Sequence, residues 1–438
     1  MAERNPLILN IAVLGLGLHM GAWRYRKGDP FDYTNVDFYR DIGRIAESGC
    51  LNAIFLADTL AVAEENFERP NFGAMDPTVV LGAVATATKH IGLVATASTT
   101  YNEPYNLARR FATLDFISRG RASWNIVTTF IPDVAANFGT AGLPNHDDRY
   151  ERAEEFVEVV TRLWDSWEDA ALVGDKATGQ FADAGRVHAV NYRGSHYNVR
   201  GPLTLPRSPQ GRPILYRSGS SESGRDLAAR FADAVFTPQN TIGAAQEFRA
   251  DMRRRAEAYG RHPDDIRITP GLLPVLGGTI AEARARKDEL DELGGQAELK
   301  KLALRVGLQL EDLKLDEPLP LERIKENKQF RASEGFRDAV VRLAVEEKLT
   351  VREILYRNGG GHVQVVGTPE QVADMIETWH REGAVDGFNL MIDVLPDGLI
   401  DFVEQVVPIL QRRGVFRDEY AGGTFRSDLG LGGFSNVN

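Results

Sequence analysis

Cysteine occurs once in the chain, at Cys50, so no disulfide can form within it, and that scarcity fits a reducing compartment. Long apolar runs are missing too; none approaches the ~20 residues a membrane-spanning helix needs. Lysine and arginine form no block, and a net charge of −11 offers no surface for nucleic acid or an anionic membrane. The eight histidines are scattered, with neither helical ligand spacing nor a cysteine partner, so no zinc pattern is present. Gly15-Leu16-Gly17 runs on into Leu18-His19-Met20 and is no dinucleotide fingerprint, and there is no Walker motif. Ser218-Gly219-Ser220-Ser221 lacks the second glycine of a nucleophile elbow. Met1 to Pro6 shows no charged-then-apolar leader, so the expected location is the cytoplasm.

What is present is an alternation. The 438 residues are 43% hydrophobic and 26% charged, a globular composition with ample core. Short continuous apolar runs read as buried parallel strands at 7–14, 53–57, 91–99, 123–128, 213–216, 233–237, 267–276 and 386–392. Helical periodicity fills the intervals at 36–48, 77–89, 104–118, 146–167, 225–231, 242–259 and 280–293, and again at 399–412. Residues 181–199 read as an inserted hairpin, and 294–361 as a charged excursion ending in Gly359-Gly360-Gly361. Eight strand–helix alternations predict an α/β fold of the (β/α)8 TIM barrel class in one domain, 1–438. The 294–361 insertion, between strands seven and eight, is either a solvated loop or an active-site lid.

Barrel geometry brings the strand ends to one mouth. Asp58, Thr96 to Thr99, Asn125 to Thr128 and Ser218 to Ser221 all lie at such ends. The stretch Arg217 to Gly224 turns a strand into a helix through small polar residues, which suits either a serine helix cap or a phosphate site. His146 and Tyr150, four residues apart, share a helix face that can reach that turn. His19 follows the first strand, with Trp23 and Phe55 as candidate aromatic walls.

Several blocks carry a family resemblance. They are Phe55-Leu56-Ala57-Asp58, Ala97-Ser98-Thr99-Thr100-Tyr101-Asn102-Glu103-Pro104-Tyr105 and Leu114-Asp115-Phe116-Ile117-Ser118-Arg119-Gly120-Arg121. Further on come Trp124-Asn125-Ile126-Val127-Thr128, His146-Asp147-Asp148-Arg149-Tyr150, Ser218-Gly219-Ser220-Ser221 and Asp386-Gly387-Phe388-Asn389. Together they resemble the bacterial-luciferase-like FMN-dependent monooxygenases, in the branch of nitrilotriacetate, EDTA, dibenzothiophene-sulfone and long-chain alkane monooxygenases. Position by position, the resemblance implies that Asp58, Thr96 and Ser98 line the isoalloxazine or ribityl region and that Asn125 sits beside the ring. It gives the phosphate to His146, Tyr150, Ser220 and Ser221; for the chemistry so implied, His19 is the residue expected to orient or protonate the peroxide or substrate.

The implied activity is insertion of one oxygen atom from O2 into an organic substrate through a 4a-hydroperoxyflavin. The FMNH2 would come by diffusion from a separate NAD(P)H:flavin reductase, and the chain would form a homo-oligomer. The substrate classes implied are xenobiotics, alkanes, chelators and organosulfur compounds. A polyacid would call on Arg24, Arg26 and Lys27, an apolar substrate on Trp23, Phe72, Phe130 and Phe138, and the balance leans slightly to the apolar side. The alternatives are a deazaflavin-dependent hydride-transfer enzyme of the same fold, a non-catalytic flavin-binding protein and a phosphate-binding aldolase, the last lacking a visible lysine or metal at a strand end.

Overall fold

The computed structural model describes residues 6–62, 73–129, 131–140, 142–143, 145–219, 221–327, 330 and 334–432. An 11-stranded sheet organises it. Its parallel strands are β1 (Ile8–Val13), β2 (Ala53–Leu56), β3 (Gly92–Ser98), β4 (Ala122–Val127), β5 (Ile214–Ser218) and β6 (Ala234–Phe236), followed by β7 (Arg267–Ile268), β8 (Gly271–Leu276), β9 (His362–Gly367) and β10 (Gly387–Leu390). β1 is buried along its whole length, as a strand covered on both faces must be. The order runs β6, β5, β4, β3, β2, β1, β10, and β10 pairs with β8 while β7 pairs with β6. β7 and β8 form one strand in two pieces, so the ladder returns to its start and the barrel closes.

Side chains alternate between two cores. Leu9, Ile11, Leu93, Ala95 and Trp124 pack outward against the helices. Ile8, Ala12, Phe55, Val94, Ile214, Tyr216, Leu273 and Val275 fill the barrel. Within the barrel, Asn10 donates to Asn389 Oδ1 at 2.9 Å and to the Tyr216 hydroxyl at 3.3 Å, and Asn389 donates to Thr269 O at 3.0 Å. These bonds link the buried amides across the barrel and leave Asn10 Oδ1 without a partner.

The departures from the sequence reading have local causes. The seventh strand breaks after Ile268, next to Thr269-Pro270, where the proline has no N–H for the ladder. β9, which pairs with β8, was not expected; its alternating apolar and polar residues were the available signal. The inserted hairpin is a pair of separate ribbons, Leu172–Asp175 with Gln180–Ala182 and Tyr192–Arg193 with Asn198–Val199. The charged excursion is helical, with segments Ala297–Val306, Leu321–Glu326, Glu334–Glu346 and Val351–Arg357. They pack on a small core of their own that includes Leu302, Val306, Val340, Val351 and Ile354. Among the described residues, no helix is long and apolar enough to cross a membrane.

Candidate active site at the barrel mouth

Residues facing the barrel interior near the C-terminal ends of β3, β4 and β5 form a hydrogen-bonded chain. Register places Thr96 opposite Asn125 and Asn125 opposite Tyr216, so Ser218 lies one inward-facing position further up β5. Asn125 Nδ2 donates to Thr96 Oγ1 at 2.9 Å, and the Ser218 hydroxyl donates to Asn125 Oδ1 at 2.9 Å. The amide is thereby fixed in one orientation. Ser98 follows on β3; its hydroxyl meets Thr129 Oγ1 at 2.7 Å and accepts the Thr100 N–H at 3.0 Å. All of these side chains are buried except Ser218, which is half-buried.

The turn after β5 is the second component. Ser221 caps the helix Glu222–Phe231 by accepting the Gly224 N–H at 3.2 Å. Tyr150, on the helix His146–Trp164, meets the Ser221 hydroxyl at 3.2 Å and accepts from Arg217 Nη2 at 3.1 Å. Arg217 also donates to Ile126 O at 2.9 Å and to Ser218 O. The guanidinium carbon lies 5.8 Å from the centre of the Tyr150 ring. Burial alone would raise the Tyr150 phenol, but Arg217, the Ser221 and Thr128 hydroxyls and Arg149 outweigh it, and the net shift is downward. Arg217 Nε and Arg149 Nε are buried without a partner. Donors left unpaired beside a helix N-terminus and a buried cation suit a phosphate.

Of the residues expected at the phosphate, Tyr150 and Ser221 meet directly. His146 shares their helix face, its ring 4.8 Å from that of Tyr150, but it is exposed and hydrogen-bonds Asp147 at 3.1 Å. Ser220 lies outside the described residues. Arg217 is the residue the sequence reading passed over. Ile214, Tyr216 and Ser218 face the barrel interior, so strand alternation turns Arg217 outward to the helix bearing Tyr150.

Asp58 follows β2 and is half-buried. Burial raises its carboxyl to about 6, reinforced by the nearby Asp76 carboxylate and opposed by Arg110. The folded chain thus favours the protonated form, so this group's contribution to stability is full below its ordinary pKa and is lost as pH rises through about 6. Asp58→Asn should gain stability over the parent by up to about 3 kcal/mol between about pH 4 and about pH 8. Urea midpoints across that range check this; a pH-independent difference would contradict it.

His19 is placed differently. Its Nε2 lies 2.9 Å from Asp291 Oδ1, and its Nδ1 accepts the Gly21 N–H at 3.1 Å. Asp291, on the helix Ile280–Gly294, is bound from its other side by Lys287. The hydrogen bonds of His19 therefore tie the loop after β1 to that helix and do not join the Thr96–Asn125–Ser218 chain. Of the basic residues suggested for a polyacid, Arg24 donates to Leu293 O at 2.8 Å, and Arg26 to Leu395 O at 3.2 Å and Asp32 at 2.9 Å, while Lys27 is exposed. Phe138 stacks on Tyr101 at 4.4 Å, Trp23 packs against the main core, and Phe72 and Phe130 lie outside the described residues.

Over residues 19–386 the chain matches the family described as luciferase-like monooxygenase. Nitrilotriacetate monooxygenase component A of Aminobacter aminovorans is 42% identical over 432 residues, covering 95% of this chain and 94% of that protein. Among solved structures, EDTA monooxygenase of Chelativorans sp. BNC1 aligns with a TM-score of 0.82 and 34% identity, across 98% of this chain and 99% of that one. Riboflavin lyase, solved with modified FMN and riboflavin as substrate, gives a TM-score of 0.84 at 33% identity, across 98% and 96%. The branch that the sequence blocks resemble and the TIM-barrel fold expected from the strand–helix alternation are both borne out.

Proposed function

The chain belongs to the luciferase-like monooxygenase family, and from that premise we propose that it is the oxygenase component of a two-component system, using FMNH2 and O2 to insert one oxygen atom into an organic substrate. The observation that carries the cofactor assignment is the contact of Arg217, Tyr150 and Ser221 at a helix N-terminus, with Arg217 Nε unpaired. That donor set fits a phosphate monoester. Arg149 and His146 flank it, and Thr96, Ser98, Asn125 and Ser218 supply hydroxyl and amide groups for the ribityl chain and the ring edge. When bound, reduced FMN supplies the oxygen activation, one atom going to the substrate and the other to water.

The chain's own residues position and shield. Asn125 presents an amide whose orientation Thr96 and Ser218 hold, so ring recognition needs no reorganisation on binding. Asp58 carries its proton up to about pH 6 and can donate a hydrogen bond across that range. The helical insertion 294–361 covers the mouth as a lid; Glu298 on it accepts the Met20 N–H at 3.3 Å, and the helix just before it is held to the same loop through His19 and Asp291. FMNH2 arrives by diffusion from a separate NAD(P)H:flavin reductase, and the oxygenase works as a homo-oligomer. The deazaflavin alternative is disfavoured, because the relatives at 42% and 34% identity are monooxygenases.

Two of the relatives act on polycarboxylates by name, nitrilotriacetate and EDTA, which puts a chelator-like acid among the leading substrate classes beside the sulfone and alkane for which other relatives are named. The test is oxygen uptake and product formation with reduced FMN against chelators, alkanes and sulfones; no oxidised product from any class would sink the proposal. His19→Ala is expected to lower product per reduced FMN and raise hydrogen peroxide release, as a loosened lid admits water. Unchanged coupling would remove His19 from the mechanism.

A further inference from the structure

The glycine run Gly359-Gly360-Gly361 has a packing role. A Cβ at Gly359 would lie 2.1 Å from Leu273 Cδ2, and one at Gly361, where φ is +98°, would lie 2.4 Å from Phe336 and 3.0 Å from Arg305 Nε. Only glycine lets the turn before β9, the helix Glu334–Glu346 and the Arg305 guanidinium meet at this point. A row of rings leads there from inside the barrel. Tyr216 contacts Phe55 at 5.8 Å, Phe55 contacts Phe236 at 5.9 Å, Phe236 stacks on His362 at 5.2 Å, and His362 meets Phe336 edge-on at 5.1 Å. The row starts beside Asn125, which is in register with Tyr216, and ends under the insertion.

Arg305 is half-buried at the end of that row and donates no hydrogen bond among the described residues. Its nearest carboxylate influence, Glu298, is shared with Lys301 at 3.7 Å and the Met20 N–H at 3.3 Å. Asp291 is taken by Lys287 and His19. Among the described residues, Arg305 therefore has no carboxylate to itself. His362, 3% exposed, has its Nδ1 unpartnered. Burial first, and then Arg305, pushes its pKa down to about 3, so the ring beside Arg305 stays neutral. Half-buried and with no carboxylate of its own, the Arg305 guanidinium is open to one supplied by a ligand.

We infer that Arg305, with His362 beside it, is the subsite for a carboxylate of an organic-acid substrate, whose oxidisable body lies along Phe236 and Phe336 toward Asn125. This rests on the oxygenase reading and names the substrate class of that same site. A two-pronged guanidinium matches a carboxylate, and the ring row matches an apolar or thioether body.

The test titrates the whole chain calorimetrically with benzylthioacetate, N-benzyliminodiacetate and their methyl esters, with and without FMN. At least one acid is expected to bind about ten- to a hundredfold more tightly than its ester. Arg305→Gln should erase that preference, and Arg305→Lys should keep part of it. If Arg305→Gln does not fold, protection of Arg305 from phenylglyoxal by the acid and not by the ester reads the same point in the parent. Equal binding of acid and ester, binding of neither, or an unchanged preference in Arg305→Gln would overturn the subsite. Flavin affinity should be unaltered by Arg305→Gln. Failure of the parent to bind FMN would count against the oxygenase reading alone, since the acid–ester comparison without flavin still decides the subsite.

Discussion

Replacing Arg217 by methionine is expected to weaken FMN binding about ten- to a hundredfold, the loss typical of a charge-assisted hydrogen bond to phosphate. The parent donates from Arg217 to Tyr150, Ile126 and Ser218, with Nε unpaired. Methionine fills the volume but removes the largest of the effects that together outweigh burial at Tyr150, so the phenol should titrate at higher pH in the variant. Arg217→Lys keeps the charge and loses the fork, and should fall between the two. Riboflavin, which has no phosphate, should bind parent and variant alike. Flavin fluorescence titrations of the three proteins check the ordering. An Arg217→Met protein that holds FMN like the parent would remove Arg217 from the cradle.

Arg286→Met is expected to destabilise the chain by about 3–5 kcal/mol, the cost of leaving a buried carboxylate without its cation. Asp393 follows β10 and its side chain is 2% exposed; it receives Arg286 Nε at 2.7 Å and Nη2 at 3.1 Å. Arg286 also reaches Asp401 at 3.2 Å, and its guanidinium carbon lies 5.6 Å from the Tyr25 ring centre. The pair fixes the helix Ile280–Gly294, which bears Asp291, against the end of the barrel. Burial raises the Asp393 carboxyl, and Arg286 only partly offsets it. Without Arg286 it rises further, so the variant should lose least at low pH, where Asp393 is protonated in folded and unfolded chains alike, and most as pH rises through the folded pKa. Asp393→Asn combined with Arg286→Met should lose less than the single variant. Urea unfolding across pH, run as a double-mutant cycle, measures this.

The barrel was legible because its strands are short apolar runs buried on both faces, a pattern that survives without knowledge of partners. Strand ends were legible for the same reason, and Thr96, Ser98, Asn125, Tyr150 and Ser221 are each placed by the element that carries them. What escaped depends on contacts between distant segments. The break at Pro270 needed the pairing of β7 and β8 with different neighbours. β9 was hidden because Gly359 to Gly361 reads as the end of a loop, although it is the turn that admits Arg305. The charged insertion looked solvated because its leucines and valines find one another only across its own helices. Arg217 leads into the turn after β5, yet its role needed the facing helix and Tyr150. His19 looked available until Asp291, hundreds of positions away in the chain, took its Nε2.

The most direct measurement of the central claim is an anaerobic titration of the chain with FMNH2, reduced riboflavin and a reduced deazaflavin, each then mixed with O2. The account predicts saturable binding of FMNH2, about a hundredfold tighter than of riboflavin because the cradle is read through its phosphate, followed by oxygen consumption at the bound flavin. Riboflavin bound as tightly as FMNH2, or preference for the deazaflavin with no reaction toward O2, would contradict it.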